Sequence, residues 1–245
     1  LNPITVIIPT WSNYSYLTRT IKSLVELTVE ADYRLLVVDN GSEKETAEFL
    51  KEHSIPSIRN EVNLGFIRAT NQGMREVPDG HDVLLLNDDV QIVDPYWLAR
   101  LQSRLNGDIG AVGPVSNFVM GVQGFHILKD LPLLHEVKFL IGFCCLIRAD
   151  AFRAVGEMDD RFGMGGNDDL DYSIRLAEAG FKMAVDRSVF VFHYGAKSIN
   201  RIGGYEEVEP KTRAQLVEKW SKERVLALFE QSWPAIKRLE EEEAA

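Results

Sequence analysis

Three apolar runs, each halted by polar or turn-forming residues, constrain this chain more than any other feature. Residues 5–8 run into Pro9, residues 35–38 into Asp39, Asn40, Gly41 and Ser42, and residues 83–86 into Asn87, Asp88 and Asp89. Short runs without polar interruption read as strands buried on both faces. Between them, Leu17, Ile21, Leu24 and Val25 fall at helical spacing, a second helix runs through Ala47 and Leu50 with Ser42 as its expected cap, and residues 66–74 read as a third. Residues 55–59 form a weaker strand. Strand and helix in alternation predict an α/β fold with parallel strands and right-handed crossovers. Such sheets bind ligands at the carboxyl ends of their strands, where these polar clusters lie.

The pattern loosens after Val90. Residues 97–105 suggest a helix with Pro95 in its first turn, 110–114 a short strand, and 115–136 a loop region facing an acceptor. Residues 139–147 read as a buried strand, 149–155 and 168–180 as helices, and 183–192 as a strand that ends at His193. Residues 212–239 are helical in composition and lead into a tail of four glutamates.

Composition removes several classes of function. The 245 residues are 45% hydrophobic and 26% charged, the balance of an ordinary globular domain. A net charge of −10 argues against phosphate-backbone binding as the main activity, which requires a basic face, so no nucleic-acid partner is expected. No apolar run is long enough to cross a bilayer, and no signal-peptide pattern opens the chain. Cys144 and Cys145, adjacent in an apolar run, read as core residues of a reducing compartment, which predicts a cytoplasmic location. A first residue other than Met is what an excised piece of a multidomain protein would show.

Two acidic clusters carry the chemistry. Adjacent Asp88 and Asp89 at a strand end repel each other and call for a cation, for which Mg2+ or Mn2+ is suited, with a diphosphate completing its shell. A plain turn is the alternative, because Asn and Asp are common turn formers. The second cluster follows Gly163, Met164, Gly165 and Gly166, where Asn167 precedes Asp168, Asp169 and Asp171 at a helix start. These glycines do not make a dinucleotide site, since the first strand ends in Pro9 and Thr10 instead of a Gly-rich turn. Helix capping, worth roughly 0.3–1 kcal/mol per acid, accounts for one or two of the three. A third fits a general base, because closely spaced acids raise one another's pKa.

In this order the motifs resemble the family 2 glycosyltransferases, over nearly everything from Ile4 to about Trp220. Val6 to Thr10 is similar to that family's opening strand, 37–42 to its second, and Asn63, Leu64, Gly65 and Phe66 with Ala69, Asn71 and Gly73 to the segment before its Asp-x-Asp strand. The resemblance implies a GT-A fold, a Rossmann-like, mostly parallel sheet flanked by helices with a C-terminal helical segment. It divides the chain into a transferase domain at 1–211, with a nucleotide half at about 1–115 and an acceptor half at about 116–211, and an extension at 212–245. Asp39 would bond the base, Pro9 and Thr10 would line its pocket, and Asn63, Gly65, Arg68, Asn87 and Asp88 would contact the nucleotide sugar. Asp89 would hold the Mn2+ or Mg2+ ion, joined by His193 of a His-x-Gly-x-x-Ser stretch that includes Gly195 and Ser198. Asp169 would be the catalytic base, with Asp168 and Asp171 as supporting acids. Asn87 departs from the usual acid and brings no charge to the metal.

Residues 113–117 with Gly121 and Gln123, and later Lys219 and Trp220, resemble bacterial enzymes of surface-polysaccharide synthesis. The alternative for 116–123 is a surface loop without substrate contact. The resemblance implies an inverting transfer from a nucleoside-diphosphate sugar, UDP- or dTDP-linked, to a glycan, lipid-linked or protein hydroxyl, at the inner face of a membrane through partners. Two competing readings are a sugar-nucleotide nucleotidyltransferase, whose Gly-rich, Arg-containing N-terminal loop has no counterpart after Ile8, and a catalytically silent binding domain, supported by Asn87 alone.

Overall fold

A computed structural model describes residues 1–119, 121–125, 132–195 and 204–230. The chain opens with β1 (Ile4–Thr10), α1 (Tyr14–Leu27), β2 (Tyr33–Asp39), α2 (Lys44–Glu52), β3 (Ser57–Arg59), α3 (Phe66–Arg75) and β4 (Asp82–Leu86). It continues through β5 (Val90–Ile92), α4 (Trp97–Ser103), β6 (Ile109–Val115), β7 (Leu134–Val137), β8 (Cys144–Ile147), α5 (Ala149–Val155), α6 (Asp168–Glu178) and β9 (Lys182–His193). Two helices close the described part, α7 (Tyr205–Trp220) and α8 (Lys222–Glu230). Ser198 and the residues beyond 230, including the glutamate tail, lie outside the described residues.

The strands form one sheet in the order β3-β2-β1-β4-β8-β6-β9-β5, with β7 also paired to β9. β1, β2, β3, β4, β6 and β9 run one way, and β5, β7 and β8 the other. The sheet is thus mostly parallel, as expected, with antiparallel insertions in the second half.

Strand period explains the layers. Alternate side chains point to opposite faces, so Ile7, Val83, Leu85, Cys145 and Ile147 pack on one side, with Ile67 of α3, Leu170 of α6 and Leu216 of α7. Ile4, Val6, Ile8, Leu84, Leu86, Cys144 and Leu146 pack on the other, with Leu17 of α1 and Trp97 of α4. Each buried aliphatic side chain contributes about 1.5–3 kcal/mol, which is why runs with no polar member become the inner strands. Cys144 and Cys145 are buried free thiols, and burial pushes the Cys145 thiol up to about 12.

Several sequence expectations need correction. Ser42 does not cap α2: Glu43 holds that position, and the Ser42 hydroxyl accepts from the Ser12 N–H at 3.0 Å. Pro95 precedes the N-terminal residue Tyr96 and stands outside α4. The expected strand at 139–147 is regular only from Cys144, because the N–H groups of Leu140, Ile141 and Gly142 donate to the side chains of Ser173, Gln123 and Asp169 instead of a neighbouring strand. The loop read over 115–136 includes the start of β7, and β5 was not anticipated. The boundary read at 211/212 is a separate matter: α7 runs across it, with Thr212 and Leu216 buried.

Candidate active site

The register places the polar clusters on one edge. Thr10 pairs with Asp39 at the ends of β1 and β2, and Ile7 with Leu85 near the end of β4, so Pro9, Thr10, Asp39 and the 87–89 turn share the carboxyl side of the sheet. Asp39 is fully buried, and its carboxylate accepts from the Ser42 N–H at 2.9 Å and pairs with the Arg59 guanidinium. The next loop is shaped by amides: Asn40 donates to the Asn63 side-chain oxygen at 2.8 Å, which also accepts from the Gly65 N–H at 2.9 Å. Gly65 adopts φ +93°, and a Cβ there would lie 2.7 Å from the Gly163 carbonyl oxygen, so this loop touches the approach to α6 backbone to backbone. Arg68 is exposed on α3 and pairs with Asp160 at 3.4 Å.

The three residues after β4 have three different surroundings. The Asn87 N–H donates to the Phe143 carbonyl at 2.9 Å and extends the pairing with β8. Asp88 turns inward, its two oxygens accepting from Thr10 at 2.6 Å and from Asn13 at 2.9 Å. Burial, then the charge of Asp89, pushes its carboxyl up to about 7 against those two bonds. Through these bonds Asp88 and the Thr10 hydroxyl join the ends of β1 and β4. Asn13, missed from the sequence, stands just before α1, a position that favours Asn.

Asp89 meets His193 at the end of β9, with Oδ1 and Nε2 3.1 Å apart. The other ring nitrogen, Nδ1, lies 2.8 Å from the Phe118 carbonyl oxygen, an acceptor only, so Nδ1 carries the proton and Nε2 presents a lone pair. The Asn87 amide nitrogen also lies 3.5 Å from Nε2, and in this tautomer Nε2 and the Asp89 carboxylate present two acceptor atoms to one cation, a metal or a proton. Adjacent ligands of an octahedral ion with bonds of about 2.1 Å stand about 3 Å apart, so this pair fits a divalent cation. Among the described residues no cluster of three His, Cys, Asp or Glu that could hold a metal gathers there.

The second cluster separates as sharply. Asp169 is partly buried, accepting from the Leu170 N–H at 2.9 Å and the Gly142 N–H at 3.3 Å, and burial raises its carboxyl. Asp168 accepts from the Gly166 N–H at 2.6 Å; burial, then the Asp169 charge, pushes it up to about 7. Asp171 faces elsewhere. It is fully buried and bonded to Arg175 at 3.0 Å, Lys219 at 2.7 Å and the Trp220 indole N–H at 2.7 Å, so it anchors α7.

The irregular segment at 142–143 joins the two clusters. The Gly142 N–H reaches Asp169, the Phe143 carbonyl reaches Asn87, and the Phe143 ring stacks on His193 at 5.1 Å. Neither residue was singled out from the sequence, where both merge into an apolar run. Gln123 explains the Gly113, Pro114, Gly121 pattern: nearly fully buried, it donates to the Pro114 carbonyl at 3.1 Å and accepts from the Ile141 N–H at 2.6 Å. It is an internal tie, neither an acceptor contact nor part of a free surface loop.

The model of glycosyl transferase family 2 matches residues 5–156, more than half of the chain. The chain belongs to that family. It is 28% identical over 240 residues to the N-acetylglucosaminyl-diphospho-decaprenol L-rhamnosyltransferase of Mycobacterium tuberculosis, covering 80% of this chain and 77% of that protein. It is 25% identical over 226 residues to the O-antigen biosynthesis protein RfbC of Myxococcus xanthus, covering 80% of this chain but only 17% of that longer protein. Another curated relative, from Sinorhizobium fredii, is matched over 26% of its length. In fold, the mannosyltransferase PcManGT of Pyrobaculum calidifontis, solved with GDP-Man and Mn2+, superposes with a TM-score of 0.67 at 15% identity, over 99% of this chain and 80% of that one. The architecture of this family 2 member is therefore GT-A. No described helix is long and apolar enough to cross a membrane.

Proposed function

We propose that the chain transfers a sugar from a nucleoside diphosphate to an acceptor hydroxyl with inversion, in the synthesis of a cell-surface glycan. The observation that carries this reading is the joint at Gly142 and Phe143, which ties the base candidate Asp169 to the Asp89–His193 pair. The acceptor oxygen attacks the anomeric carbon opposite the diphosphate and gives its proton to Asp169. The bond from that carbon to the phosphate oxygen breaks with its electron pair, which leaves on the diphosphate. A carboxylate base in hydrogen-bonding reach supplies roughly 100- to 10,000-fold. When bound through Asp89 and His193, Mn2+ or Mg2+ would neutralise the charge on the departing diphosphate.

Asp39, held by Arg59, is read as the acceptor for a base ring N–H, which favours a UDP- or dTDP-sugar, with Pro9 lining the pocket and Asn63, Gly65, Arg68 and Asn87 beside the nucleotide sugar. The name of the rhamnosyltransferase supports a lipid-diphosphate-linked acceptor, and RfbC a surface polysaccharide within a larger protein. Buried free cysteines support a cytoplasmic site, against the inner face of the membrane through partners. We read 1–115 as the nucleotide half, 116–211 as the acceptor half and 212–245 as an extension.

The test is a panel of UDP-, dTDP- and GDP-sugars with Mn2+ or Mg2+, scored by nucleoside diphosphate release. Release from one donor that is lost in Asp89→Ala and Asp169→Asn is the expected result, and a retained product anomer would refute inversion. Nucleotide binding without release, with varied acceptors, would favour a silent binding domain, the reading that Asn87 supports.

A further inference from the structure

The chain leaves β6 after Val115, which pairs with Phe190, yet it keeps hold of β9. Asn117 is exposed, but its side-chain oxygen accepts from the His193 N–H at 2.8 Å and its amide donates to the His193 carbonyl at 3.0 Å. A primary amide carries the same donor and acceptor pair as a peptide unit, so this side chain adds a rung to the ladder where the β6 backbone has turned away. Phe118 completes the grip. Its carbonyl oxygen meets Nδ1 of His193, and its ring packs edge-on against the imidazole at 5.9 Å. Gly195, at φ +75°, makes room: a Cβ there would come within 2.1 Å of the Phe118 ring.

This arrangement selects one tautomer. With the proton on Nδ1, the lone pair of Nε2 points toward Asp89; with the proton on Nε2, the ring could not ligate a metal on the side where Asp89 stands. We propose that Asn117 is a positioning residue for the cation site, fixing the backbone of His193 so that the Phe118 carbonyl holds Nδ1–H and Nε2 faces Asp89. The proposal rests on the reading of Asp89 and His193 as ligands of a divalent cation. Groups that orient a ligating histidine typically alter metal affinity 10- to 100-fold.

The experiment is a Mn2+ titration by calorimetry of the wild type, Asn117→Ala, Asn117→Asp, His193→Ala and Asp89→Ala. Melting of each metal-free protein and nitrogen-15 spectra of the histidine rings accompany it, with His193→Ala assigning the His193 signals. Asn117→Ala is expected to bind Mn2+ about 10- to 100-fold more weakly, and to shift His193 from the Nδ1–H toward the Nε2–H tautomer. Its metal-free melting should fall only by what two partly buried hydrogen bonds are worth, so the tautomer and the Mn2+ affinity decide. A purely structural role would lower melting while leaving both the tautomer and the Mn2+ affinity at wild type. Asn117→Asp keeps the acceptor but loses the donor, so it should show the same change in smaller degree, and it decides the matter if the alanine variant does not fold. Wild-type affinity and tautomer in both variants, with binding lost in His193→Ala and Asp89→Ala, would overturn the proposal alone. Undiminished Mn2+ binding in His193→Ala and Asp89→Ala would instead overturn the cation-site reading beneath it.

Discussion

Asp169 and Asp168 are neighbours in sequence with different work to do. Asp169→Asn should lower transfer by roughly 100- to 10,000-fold while nucleotide affinity stays near wild type, checked by product release alongside calorimetry. Because burial raises the Asp169 carboxyl, the transfer rate of the wild type should climb with pH until that group is ionised. Asp168 has the opposite meaning for stability. An unfolded chain titrates it near 3.9, whereas burial and the Asp169 charge push it up to about 7 in the fold. The folded protein therefore binds this proton more tightly, and the contribution is lost as pH rises from about 4 through about 7. Asp168→Asn, which still accepts from Gly166, should melt above the wild type at pH 8, with the gain shrinking toward zero near pH 4. The sequence exposed these acids but did not sort them. Helix geometry held part of the answer: at 100° per residue Asp168 and Asp171 lie near one face and Asp169 stands apart. What sequence could not supply was which face met Lys219 and Trp220.

At the scale of elements, α6 is fixed to α7 through Asp171 and to the strand edge through Gly142. Asp171→Ala would remove the buried partner shared by Arg175 and Lys219, though Lys219 keeps Asp159 and Arg175 two backbone carbonyls, so the cost should fall below the roughly 3–5 kcal/mol of a stranded buried charge. Urea unfolding should report that loss, and activity should fall through stability instead of chemistry. The strands of the first half were legible because an apolar run bounded by turn residues has few other uses. The 139–143 segment was not, because its apolar side chains are buried whether the backbone is regular or bent. Gln123 was equally opaque: a buried amide is identified by its partners, Pro114 and Ile141, which lie 9 and 18 residues away.

For the whole molecule, the sheet brings together groups from β1, β4, β9 and α6, so donor and cation should bind as one unit. A nucleoside diphosphate at 100 times its Kd stabilises by about 2.7 kcal/mol. That stabilisation, read as a melting shift, should need Mn2+ or Mg2+, and should vanish with a chelator or in Asp89→Ala. The order of strand-end motifs revealed the α/β class and the family resemblance, since each unit carries its own local signal. The antiparallel placement of β8 and the late edge strand β5 depended on contacts far apart in the chain. The inward turn of Asp88 reaches into the history of such sequences. A carboxylate bonded at once to Thr10 and Asn13 cannot drift alone, so an alignment of relatives should show positions 10, 13 and 88 changing together, while position 87, free of that bargain, varies between acid and amide.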